Sequence, residues 1–130
     1  MTTSLHARIG LGTAQLGMDY GISNTTGRVA SDEAKQVLML ARELGIDTVD
    51  TASAYGDAES VLGEIQVVSD GFHVVTKLPS LGGRTIDDAA LEHLQQSFAR
   101  SLDRLRCGAV YGLLVHDAAD LLRQGSDKIW

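Results

Sequence analysis

The feature that most constrains this chain is an alternation: four short apolar runs, each followed by a stretch whose apolar residues recur at helical spacing or open into a glycine-rich loop. A chain patterned this way covers each strand with the helix that follows, and right-handed crossovers lay consecutive strands parallel. The first run, residues 8–12, closes on Gly12 and opens into a long loop, residues 13–30, that holds Gly17, Gly21 and Gly27. From Ser31, the residues Ala34, Val37, Leu38, Ala41 and Leu44 form a helical stripe. Ser31 is expected as its N-cap, Asp32 and Glu33 complement the helix dipole, and Gly45 ends it. Residues 46–51 are β-branched and predict a second strand, and a shorter helix over 59–65 buries Val61, Leu62 and Ile65. A third strand, 72–77, lies between Asp70-Gly71 and Pro79. The clearest helix follows, with Leu91, Leu94, Phe98, Leu102 and Leu105 as its stripe and Thr85 with Asp88 as an expected capping box. Residues 110–116 are almost continuously apolar, as in a strand covered on both faces, and short helical pieces are expected at 118–123 and from Ser126. The class is α/β with parallel strands. A doubly wound sheet and part of a (β/α)8 barrel both satisfy the periodicity.

Composition narrows the partners. The 130 residues suit one domain, and a net charge of -6 with a pI near 5.0 argues against a basic footprint for nucleic acid or anionic lipid. No run approaches the ~20 apolar residues of a membrane span and no signal-peptide core precedes the first strand, so a cytoplasmic protein without a membrane partner is expected. Cys107 is the only cysteine, which rules out an intrachain disulfide and reads as an inert residue between helix and strand. His6, His73 and His93 share no ligand spacing and read as surface or packing residues. Gly10, Gly12 and Gly17 do not make a dinucleotide fingerprint, because Gln15 stands where that turn needs glycine, and no Gly-Lys-Ser/Thr follows.

The polar residues at the strand ends are more informative. Strands two, three and four each finish with an ionisable residue that the apolar pattern does not require: Asp50, Lys77 and His116. In a parallel sheet or barrel all strand C-termini share one face, so these three, with Tyr55 just beyond strand two, converge on one pocket. A structural ion pair closing a strand end explains Asp50 and Lys77 alone, but not the added phenol and imidazole. A phenol, with a free pKa of about 10, is a weak proton donor near neutrality. An ammonium about 4 Å away at an effective dielectric near 20 favours the phenolate by about 4 kcal/mol, and a carboxylate keeps that ammonium protonated. A carboxylate, an ammonium, a phenol and an imidazole then share one site, and nothing in this set requires a metal.

Four motifs, Gly12-Thr13-Ala14, Asp50-Thr51-Ala52-x-x-Tyr55-Gly56, Val75-Thr76-Lys77 and Leu113-Leu114-Val115-His116, resemble those of the aldo-keto reductase family, in family order along essentially the whole chain. The longer first loop, Gln15 to Gly21, is similar to that of bacterial branches. The resemblance implies an NADPH-dependent oxidoreductase that reduces aldehydes and ketones, small carbonyl compounds, to alcohols. It implies Tyr55 as general acid, Lys77 and Asp50 as its tuning pair, and His116 as the residue that orients the carbonyl. Thr13 and Asp50 match positions that touch the nicotinamide end of the cofactor, although Thr13 as a turn cap is the plainer reading of that residue. The family's fold is a (β/α)8 barrel of about 250 residues, of which four strands can be counted here. The chain is therefore expected to be the N-terminal half of a single barrel domain, cut where residues 125–130 begin another helix, and inactive without the rest. Alternatives are a nucleotide-sensing or regulatory protein on the same scaffold, and a half-barrel that self-associates through its exposed sheet edges. Retention of all four polar residues favours the enzyme.

Overall fold

The computed structural model describes residues 9–129; His6, the Arg8 start of the first expected strand and Trp130 lie outside them. Four strands, β1 (Gly10–Gly12), β2 (Thr48–Asp50), β3 (His73–Leu78) and β4 (Gly112–Val115), form one parallel sheet in the order β1-β2-β3-β4. Spatial order equals chain order, so each strand is added on the same side of its predecessor. That is the winding of a (β/α) barrel; a doubly wound sheet reverses direction at a switch point. The alternative left open by periodicity is thereby decided for a partial barrel.

The helices are α1 (Ala14–Gly17), a single turn inside the first loop, α2 (Ser31–Glu43), α3 (Ala58–Ile65) and α4 (Asp88–Leu105). Two short 3-10 segments, Ala118–Leu122 and Ser126–Lys128, follow β4. Ser31 is the first helical residue of α2 rather than its cap, and Ala30 precedes it in extended backbone without a capping side chain. At its other end Gly45, at φ 79, lets its own N–H reach Arg42 O at 2.9 Å and the Ile46 N–H reach Ala41 O at 2.8 Å, a Schellman closure. The expected Thr85 and Asp88 capping box is replaced by Asp87, whose carboxylate accepts from Ala90 N at 2.9 Å. Asp87 is the last extended residue before α4, so its side chain, not that of Thr85, reaches the free amides of the first turn.

Side chains alternate across the strands. Val49 and Val74 join Leu38, Leu62, Val67, Phe72 and Leu105 in the core between sheet and helices. The opposite, barrel-inward face carries Gly12, Asp50, Val75, Lys77, Gly112 and Leu114, neighbours through the pairings Gly12↔Asp50, Asp50↔Val75, Val75↔Gly112 and Lys77↔Leu114. A smaller cluster, Leu81, Ile86, Ala90 and Leu94, packs under the loop between β3 and α4. Cys107 lies half-buried against the main core, and burial pushes its thiol above the ordinary cysteine range, in keeping with an inert residue. His73 is exposed, 4.4 Å from the Tyr111 ring centre and 3.6 Å from Asp47, and His93 is exposed on α4. Among the described residues no helix is long and apolar enough to cross a membrane.

Three burial expectations change. β4 is not covered on both faces: Leu113 and Leu114 are 37% and 46% exposed. Among the described residues the strand pairs with β3 alone, and the segment after it folds back on the β3–α4 loop, where Leu81 N donates to Asp120 at 2.9 Å. In α2 the buried face is Ala34, Leu38 and Ala41, while Val37 and Leu44 stand exposed further round the helix. The buried stripe of α4 runs through Ala90, Leu94, Ser97, Ser101 and Leu105, with Leu91, Phe98 and Leu102 only partly covered. Small residues face inward because α3 comes very close: a Cβ on Gly63 would lie 2.0 Å from Arg104 O.

That contact predicts a sharp contrast between two glycines. Gly63→Ala should cost about 2 kcal/mol or more in denaturant unfolding, because backbone cannot yield as a side-chain tip can. Gly108→Ala, with open space around the added methyl, should stay within about 0.5 kcal/mol. Equal effects would mean that α3 and α4 do not touch at Gly63.

Candidate active site

Asp50 is the last residue of β2 and Lys77 the fifth of β3, both on the inward face, and the parallel register places them at the same end of the sheet. The chain beyond β2 continues along β3 through Thr51 N to Val75 O, 2.8 Å, and Ser53 Oγ to Lys77 O, 3.1 Å. It then turns tightly: Tyr55 N donates to Ala52 O at 3.0 Å and Ala58 N to Tyr55 O at 3.1 Å. Tyr55 therefore stands at the mouth of the sheet, immediately before α3. His116 follows β4 directly and is exposed.

The Lys77 ammonium donates to Asp50 Oδ1 and, at 3.0 Å, to Thr51 O. Its side chain is 15% exposed against 41% for Asp50, so the cation is largely enclosed while its counter-ion faces the cleft. The same nitrogen lies 5.1 Å from the centre of the Tyr55 ring, within cation–π range, a contact worth about 0.5–2 kcal/mol. The other neighbour of that ring is His116, edge-on with centroids 6.0 Å apart and planes at 75°. All four residues expected from the strand ends thus meet, with both the ammonium and the imidazole beside the phenol ring. Thr13 is fully buried, and both its N–H, at 3.0 Å, and its hydroxyl, at 2.9 Å, donate to Asp50 O. It fixes the backbone of Asp50 to the loop after β1.

Beside this cluster an open cleft of about 360 Å³ is lined by Gly12, Thr13, Gln15, Tyr20, Asp50 and Tyr55. A Cβ on Gly12 would meet nothing within 4 Å, so a flat group can approach the backbone there. A cavity of similar size, about 380 Å³, lies over Leu38, Ile65 and Phe72 on the far side of α2. There Arg42 covers the Phe72 ring at 5.1 Å, and among the described residues no phenol or imidazole lines it.

The Tyr55 turn is held by two glycines packed back to back. A Cβ on Gly17 would fall 1.9 Å from Tyr55 O, and one on Gly56, at φ 56, would fall 2.4 Å from Gly17 O. The first loop is also tied to this turn by Asp57 N to Gly17 O, 3.2 Å, and by the exposed Arg28–Asp57 pair at 2.6 Å. Sequence reading missed the supporting network of Glu59, Thr76 and Arg104, in which the buried Glu59 accepts from Thr76 Oγ1 at 2.6 Å and from Arg104 Nε at 2.9 Å. Its one sequence signal is an acid set among apolar α3 residues. The partners are 17 and 45 residues away in sequence, so no local spacing exposes them.

Two substitutions separate backbone closure from surface charge. Gly17→Ala should cost at least about 2 kcal/mol in thermal or denaturant unfolding, since the added methyl overlaps the Tyr55 carbonyl. Arg28→Ala removes only an exposed pair and should stay within about 1 kcal/mol. The reverse order would show that the loop is held by charge and not by the glycine contact.

Comparison with known proteins bears on the family and the fold. The chain is similar to PA4992 of Pseudomonas aeruginosa, classed as an aldo-keto reductase, with 35% identity over 87% of this chain and 45% of that one and a TM-score of 0.70. A second structure classed the same way from that organism gives 34% identity, 87% and 44% coverage, and 0.68. The holo form of AKR11C1 from Bacillus halodurans shares the fold at 21% identity, 78% and 33% coverage, and a TM-score of 0.56. This chain spans less than half the length of these solved relatives. No curated protein sequence matches it. The Aldo/keto reductase family model matches residues 8–120, and with that match the chain belongs to the aldo-keto reductase family.

Proposed function

We propose that the chain carries the catalytic half of an oxidoreductase that reduces aldehydes and ketones to alcohols with NADPH, the four strands being the first half of one barrel domain. The observation that carries this reading is the Lys77 ammonium, held by Asp50 and set against the Tyr55 ring, with His116 edge-on to the same ring. Tyr55 is the general acid: its phenolic proton passes to the carbonyl oxygen as the carbonyl carbon is reduced. The charge of Lys77, whose side chain is 15% exposed, stabilises the phenolate left behind. Asp50 holds and aims the Lys77 ammonium. His116 donates to the carbonyl oxygen and orients the substrate against the phenol.

The cleft beside Gly12 fits the nicotinamide end of the cofactor. The bare inward side of Gly12 admits a flat ring, and the part-exposed Asp50 carboxylate offers oxygen acceptors to an amide in the same space, with the buried Thr13 holding Asp50 in place. The bound nucleotide supplies hydride to the carbonyl carbon. A mostly enclosed cation paired with a carboxylate beside a phenol has little use in a protein that only senses nucleotide, and this favours the enzyme over a regulatory role.

The test uses steady-state kinetics on the complete barrel protein that contains this chain, with a simple aromatic aldehyde. Tyr55→Phe should lower kcat by about 100-fold or more with NADPH affinity nearly unchanged. Lys77→Met should lower kcat without a matching rise in KM for the aldehyde. Retained turnover in Tyr55→Phe would remove Tyr55 as the acid.

A further inference from the structure

Glu59 is 1% exposed, and the reaction proposed above does not use it. Its carboxylate divides its contacts between two elements. Oε1 accepts from Thr76 Oγ1 at 2.6 Å, and Oε2 accepts from Arg104 Nε at 2.9 Å and Nη2 at 2.6 Å. Thr76 directly precedes Lys77 on β3 and points to the opposite face. Glu59 itself lies one helical turn beyond Tyr55, on the α3 whose first residue closes the Tyr55 turn by donating Ala58 N to Tyr55 O. One buried carboxylate therefore joins the strand that carries the ammonium to the helix that begins at the end of the Tyr55 turn, while Arg104 anchors it to α4.

A buried ion pair is a poor way to gain stability, since apolar residues of the same volume do as well or better. What it does supply is fixed geometry, because a misplaced carboxylate in an apolar interior loses hydrogen bonds it cannot replace with water. We infer that Glu59 is a positioning residue: through Thr76 it sets the height of α3 on β3, and so holds the Tyr55 ring against Lys77. The inference rests on the reading of Tyr55 and Lys77 as a working pair. A role confined to docking α3 on α4 needs Arg104 but not Thr76, which separates the two possibilities.

The experiment follows the ring resonances of Tyr55 in this chain labelled with ¹³C-tyrosine, assigned by their loss in Tyr55→Phe, with Tyr20 and Tyr111 as internal controls. Lys77→Met, which removes the cation from the ring, defines the reference displacement. Thr76→Val keeps the shape and cuts only the link to β3; it should move the Tyr55 resonances in the same direction by a sizeable part of that displacement, with Tyr20 and Tyr111 unmoved. Glu59→Leu should do the same. Glu59→Gln should leave Tyr55 in place, because the amide oxygen still accepts from Arg104 and the amide nitrogen can donate to the Thr76 hydroxyl. A folded Thr76→Val with Tyr55 unmoved overturns the inference while leaving the Tyr55 and Lys77 pair intact. If Lys77→Met leaves Tyr55 unmoved, the pair itself fails and the inference with it.

Discussion

The site depends on one interaction, the ion pair between the end of β2 and the end of β3. An enclosed ammonium needs acceptors in place of the water it has lost. At the adjacent strand end Asp50 supplies one to Lys77, and the Thr51 carbonyl at 3.0 Å supplies another. The result is a fixed positive charge in a position where only the parallel register could put it. The Tyr55 ring is set beside that charge, and the chemistry proposed for the site follows from this placement.

Holding the phenol there is a matter of backbone more than of side chains. Gly17 and Gly56 let two loops touch where no Cβ fits, and Gly63 lets α3 sit on α4 at the same kind of distance. Thr13 pins Asp50 to the loop after β1 with two hydrogen bonds to one carbonyl. The buried Glu59 completes the frame from outside the sheet. Three layers, loop, strand and helix, are thus locked around a turn of a few residues. A site held within fractions of an ångström needs such redundancy, because a small displacement of a proton donor weakens its transfer steeply.

Much of this was legible in the sequence. Strand and helix order followed from apolar periodicity, and the convergence of Asp50, Tyr55, Lys77 and His116 followed from their places at or just past strand ends. Winding direction was not legible in the periodicity, because a (β/α) repeat looks the same in a barrel and in a doubly wound sheet; the barrel was expected from the four motifs instead. The caps were misread by local rules: Ser31 and Thr85 have the right chemistry, but backbone geometry gave the α4 cap to Asp87. The stripe of α4 was read from its large residues, whereas close packing against Gly63 turns Ser97 and Ser101 inward. β4 reads as doubly covered because its apolar pattern suits the interior of a closed barrel, while in this chain it has one neighbour. Glu59 stayed hidden because its meaning lies in partners on two other elements.

A double-mutant cycle on Asp50→Asn and Lys77→Met, followed by denaturant unfolding at neutral pH, tests the central ion pair most directly. The expected result is strong non-additivity: each single change strands a charge, the double change strands none, and the coupling energy is about 1–3 kcal/mol. Single effects that simply add, to within about 0.5 kcal/mol, would contradict the account, since two groups that do not feel each other cannot hold a charge beside Tyr55.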